Sequence, residues 1–154
     1  MKRLVCLVAL VLVSACGGGN SNPSGPSNGG AGLLTGTWSG TLSVRAQGQT
    51  YASPFTVRFT TTPNTGGLAY GANVSTRNPW IPFDATGDAY TVAPAVPPAT
   101  FSLTYNYASP RGACSGSFSA AGQVLTSSHI EANVLGFELC ATDFTGQLTL
   151  DKQR

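Results

Sequence analysis

One histidine stands among the hydroxyls and carboxylates that could support catalysis. His129 lies in Ser127-Ser128-His129-Ile130-Glu131, so a serine nucleophile, an imidazole base and an acid (Glu131 or Asp143) can be written down. His129 and Glu131 share a face only if the segment is a regular strand, and nothing marks one serine among many as a nucleophile. Gly25-Pro26-Ser27-Asn28-Gly29 has the G-x-S-x-G spacing that displays a serine on a strained strand-to-helix turn. Here it sits in a polar spacer with no strand before it and no helix after it, so the match reads as accidental. Without H-E-x-x-H or C-x-x-C there is no recognisable zinc or dithiol set. Asp84-Ala85-Thr86-Gly87-Asp88 could offer oxygens to calcium but lacks a third carboxylate and a distal bidentate glutamate, so it reads as a turn. The chain is therefore expected to be non-catalytic and to carry no cofactor.

The four cysteines divide into two groups. After Met1-Lys2-Arg3, residues 4–13 form an unbroken apolar run that includes Cys6. As a helix such a run spans about 15 Å, half of a ~30 Å hydrocarbon core, which suits a signal peptide and not a membrane anchor. Val13-Ser14-Ala15-Cys16 then resembles the lipobox of bacterial lipoproteins: an aliphatic residue, two small residues and cysteine. That resemblance implies acylation of Cys16, cleavage before it, and a domain held to the membrane by acyl chains. With Gly17 and not aspartate after the cysteine, it also implies the outer membrane in a Gram-negative host. The remaining pair, Cys114 and Cys140, is expected to form a disulfide in that oxidising compartment.

Residues 16–32 are the acylated cysteine and a tether of seven Gly, three Asn, three Ser, two Pro and one Ala, expected to stay disordered. Once residues 1–15 are removed, six basic and six acidic groups remain, so the acyl chains must do the anchoring. Charged residues make up 9% of the 154, against ~25% in ordinary soluble domains, and no basic cluster exists. A nucleic-acid partner is thereby excluded.

Residues 33–154 form the folded domain. Eighteen threonines favour pleated surfaces, and apolar residues recur at alternate positions. Trp38, Leu42 and Val44 alternate with hydroxyls, as do Phe55, Val57 and Phe59, then Phe101, Leu103 and Tyr105, and finally Phe144, Leu148 and Leu150, with Gly146 a candidate bend. Ser128 to Leu139 reads as strand, because Gly136 weakens the helical alternative. Turn signals stand at Ala46-Gln47-Gly48, Pro63-Asn64-Thr65-Gly66-Gly67, Ala85-Thr86-Gly87-Asp88 and Ala120-Ala121-Gly122-Gln123. The expected fold is all-β: about eight antiparallel strands in meander order, as a small barrel or a sandwich.

Leu34-Thr35-Gly36-Thr37-Trp38 resembles the opening of lipocalin and avidin-type barrels. The lipocalin resemblance implies that Trp38 plugs one barrel end and packs against a basic residue near the last strand, Lys152 or Arg154. Asn78-Pro79-Trp80-Ile81-Pro82-Phe83 is a proline-stiffened loop carrying three large apolar residues. It is either an exposed binding rim or a buried plug. Trp38, Trp80 and Phe83 are thus the candidate ligand or rim residues. Two functions follow from a lipid-anchored barrel: binding a small apolar ligand at its mouth, or contacting an envelope protein as an accessory or inhibitor.

Overall fold

The computed structural model describes residues 32–66, 68–92, 95–108, 114–140 and 142–154. The expected signal peptide, Cys16 and the tether through residue 31 lie outside the described residues.

Eight strands follow one another: β1 (Gly36–Ala46), β2 (Gln49–Thr61), β3 (Ala69–Thr76), β4 (Phe83–Thr91), β5 (Ala99–Ala108), β6 (Ser115–Thr126), β7 (His129–Glu138) and β8 (Thr142–Lys152). Each pairs antiparallel with the next, and β1 pairs with β8, so the sheet is a closed barrel and not a sandwich. Closure removes both free edges. The ends are distinct. Residues 32–35, the β2–β3, β4–β5 and β6–β7 connections and the C-terminus mark the Trp38 end. The other connections mark the Trp80 end.

Period-two alternation is the reason these segments are strands. Phe55, Val57 and Phe59 point inward from β2, while Pro54, Thr56, Arg58 and Thr60 face solvent. On β7, Ile130, Ala132 and Val134 point inward and Glu131, Asn133 and Leu135 outward. The Gln47-Gly48 turn has both φ values positive, 48° and 78°, matching a two-residue type I′ hairpin.

Two expected turns are not turns. Ala85–Asp88 lies inside β4 and Ala120–Gln123 inside β6. Glycine serves there to bring strands together. A Cβ on Gly87 would collide with the Thr104 carbonyl oxygen and the Tyr105 Cβ. Gly136 behaves alike: the Phe144 ring, from the residue paired with it on β8, occupies the space a side chain would need. Such inward glycines let a small barrel bend at its corners.

Cys114 and Cys140 are bonded with a Cα–Cα separation of 5.5 Å. The bridge ties the start of β6 to the connection after β7, beside a hydrogen bond of 2.9 Å from Leu139 N to Ser115 O.

Candidate functional site

Trp38 closes one end. It is fully buried, and its Nε1 donates to the Leu34 carbonyl at 2.6 Å. The Lys152 ammonium lies 5.4 Å from the ring centroid and donates to the Leu33 carbonyl at 3.3 Å. Of the two basic residues implied by the lipocalin resemblance, Lys152 takes the role.

The 77–82 connection closes the other end as a plug, anchored by a residue the sequence did not single out. Asn78 is fully buried. Its Nδ2 donates to Tyr51 O at 3.0 Å and Ser53 Oγ at 3.1 Å, and its Oδ1 accepts from Trp80 N at 2.9 Å and Ile81 N at 3.4 Å. The Asn-Pro dipeptide was the available signal, since it favours turn initiation. Anchored this way, the loop buries Ile81, Pro82 and Phe83. Trp80 stays half-buried, stacked on Tyr51 at 5.5 Å.

Between the plugs the axis is aromatic. Phe83 stacks on Tyr107 at 4.5 Å, Tyr105 on Phe118 at 4.7 Å, and Phe118 on Phe55 at 5.9 Å. Nearer Trp38, Phe59 meets Phe101 edge-on at 6.1 Å. Eight strands enclose just enough width for such filling. Polar groups gather near Phe83. The Tyr107 hydroxyl donates to Glu138 Oε2 at 3.3 Å, and the Tyr105 hydroxyl is buried with no hydrogen-bond partner among the described residues. Burial pushes both phenols above their ordinary value, and for Tyr107 the Glu138 carboxylate adds to the rise.

His129 sits on the outer wall. Its Nδ1 faces Asp151 Oδ1 at 2.7 Å and its Nε2 faces Glu131 Oε1 at 3.4 Å. The hydrogen bond to Asp151, then that to Glu131, raises its pKa. Both ring nitrogens thus face carboxylates and neither meets a serine hydroxyl. The Ser128 hydroxyl meets Thr126 and not His129, and Asp143 stands opposite Phe137. The Ser–His–acid set is therefore not assembled. Asp84 is bonded to Arg77 at 3.0 Å, and no group of three metal-ligating side chains occurs among the described residues.

Outside the barrel, Leu135 (64% exposed), Phe137 and Leu139 (67%) form an apolar ridge along β7 toward the Trp80 end. Their cross-strand neighbours on β6, Ser119 and Ser117, are small. Beside the ridge a shallow groove of about 530 Å³ runs over β4–β7, lined by Thr86, Asp88, Thr104, Asn106, Ser117 and Leu135.

The chain matches no protein-family model and no curated protein. Among solved structures, it is similar to the barrel EF1p2_mFAP2b bound to DFHBI, with TM-score 0.52 and 17% identity over 79% of this chain and 94% of that one. A de novo designed fluorescence-activating β-barrel gives 0.48 at 16% identity, over 79% and 94% of the two chains. A redesigned β-barrel gives 0.45 at 17% identity, over 79% and 93%. The likeness to EF1p2_mFAP2b speaks for the barrel fold.

Proposed function

We propose that this chain is a lipid-anchored, non-catalytic module of the bacterial envelope whose barrel acts by contact with an envelope protein. The packed axis is the observation that carries the contact reading. Aromatic side chains occupy it between Trp38 and Phe83, while Leu135, Phe137 and Leu139 stand exposed outside. Exposed apolar groups that cluster on one wall are the ordinary mark of an interaction surface. Anchoring rests on the lipobox-like Val13-Ser14-Ala15-Cys16, and the outer-membrane assignment for a Gram-negative host on Gly17 after the cysteine. The lack of catalysis rests on His129, held between two carboxylates.

A second reading, a small apolar ligand at the Trp80 end, has two supports. The Tyr105 hydroxyl beside Phe83 has no hydrogen-bond partner among the described residues, and the similar EF1p2_mFAP2b barrel was solved bound to DFHBI. Binding would require the plug or the aromatic stack to move.

Native mass spectrometry of the domain purified from its own host separates the two. A retained mass lost on denaturation favours the ligand. Bare protein, together with a photo-crosslink from position 135 to one envelope protein in cells, favours contact. If no such crosslink forms while a ligand is retained, the contact reading falls.

A further inference from the structure

The Trp38 end carries a second set of exposed apolar residues: Tyr90 and Val92 on and after β4, Val96 before β5, and Leu125 on β6. Val92 and Val96 are 60% and 59% exposed. The ladder makes them neighbours. Tyr90 pairs with Ser102, Ser102 with Ala121, and Leu125 follows Val124, which pairs with Ala99. β4 and β6 are two strand spacings apart, about 10 Å, so the four residues form one arc of the rim. The outward positions between them, Thr100, Ser102, Ala121 and Gln123, are uncharged. Carboxylates bound the arc on both sides: Asp88 lies one outward position below Tyr90, and Glu131 on β7 pairs with Gln123 and lines a groove with Leu125.

We infer that this arc rests in the interface of a lipid bilayer, resting on the reading that Cys16 is acylated. Where the chain ends identifies the occupant. Only fifteen residues separate Cys16 from Gly32, and Gly32 accepts a hydrogen bond from Thr35 at the same rim. The eleven residues of β1, tilted as in barrels of this size, stand about 25–30 Å tall. The Trp38 end is therefore the end from which the chain runs back to Cys16, while the Leu135–Leu139 ridge lies toward the opposite end. Valines without nearby charge enter the acyl boundary without desolvating an ion, and Tyr90 suits the headgroup level, where an amphipathic ring has both solvents. Two attachments, acyl chains and rim, would orient the barrel and leave the β7 ridge free for a partner.

The test uses full-length acylated protein in phosphatidylcholine vesicles with dibrominated acyl chains. Val96→Trp and Leu135→Trp are compared, each read against the parent with Trp38 and Trp80. The inference expects at least twofold quenching of the tryptophan at position 96 and almost none at position 135. Equal quenching at both positions, or none at 96, overturns it. Hydrogen exchange on the unsubstituted protein is the second measure: the amides of residues 95, 96 and 99–102 should slow when vesicles are present, and unchanged exchange also counts against docking. The mass of the N-terminal peptide separates the two failures. An acylated peptide with an unquenched tryptophan at 96 removes the docked rim and keeps the anchor, whereas a bare Cys16 thiol removes both.

Discussion

Trp38 and Lys152 face each other directly in the ladder that closes β1 onto β8, with the Lys152 ammonium 5.4 Å from the indole centroid. The contact joins the beginning of the folded chain to its end, at the point where a sheet becomes a barrel. Trp38→Ala removes a fully buried indole and its bond to Leu34, so it should cost about 3–5 kcal/mol. Lys152→Ala should cost about 0.5–1 kcal/mol, the scale of a partly exposed cation–π contact. Urea unfolding of both variants and of the double variant checks this: a coupling energy of zero would show that the ammonium and the ring do not interact.

The disulfide closes a 26-residue separation, which the chain-entropy model values at about 3.5 kcal/mol. Replacing both Cys114 and Cys140 with Ser should lower the unfolding midpoint accordingly. Thiol titration of the denatured, unreduced domain should find neither sulfur free.

Gly87→Ala and Gly71→Ala should differ sharply. A methyl at 87 meets backbone and Cβ atoms of β5 that cannot retreat, an overpacking cost of about 1–3 kcal/mol. A methyl at 71 meets nothing within 4 Å and should leave stability within about 0.5 kcal/mol. Equal thermal midpoints for the two variants would remove the close-packing role assigned to Gly87.

Asn78→Ala should loosen the plug. It leaves four hydrogen bonds unmade, among them those of buried backbone groups, and should cost about 2–4 kcal/mol. Tryptophan emission should shift to the red as Trp80 leaves Tyr51, and unchanged emission would deny the anchor role.

His129 has its pKa raised by the hydrogen bond to Asp151, then by that to Glu131. Because the folded value lies above the unfolded one, the stability it contributes is full below the unfolded pKa of about 6.5 and disappears as pH rises through the folded pKa. Asp151→Asn should bring the imidazole pKa down, as followed by NMR titration of its ring protons. It should also flatten the loss of thermal stability between neutral and mildly alkaline pH.

Much of the molecule was legible from residue order because alternation is a local property. Phe55, Val57 and Phe59, or Ile130, Ala132 and Val134, declare a face of period two wherever they pair. The Cys114–Cys140 bridge was expected because the lipobox resemblance set Cys6 and Cys16 aside. Glycine misled at Ala85–Asp88 and Ala120–Gln123, because a glycine that turns the chain and one that lets two strands touch look alike in one dimension. Asn78 escaped notice for a related reason: its partners Tyr51 and Ser53 lie 27 and 25 residues away.

The sequence by itself determined that the fold is all-β and which faces of β1, β2, β5 and β8 turn inward, because alternation depends on neighbours within a few residues. Only the tertiary structure decided between barrel and sandwich, because closure is the single long-range pairing of β1 with β8. Closure in turn filled the axis with rings from four different strands, gave the 77–82 loop an end to plug, and set His129 between carboxylates from two strands. Those outcomes depend on distances between residues far apart in the chain, which local patterning does not specify.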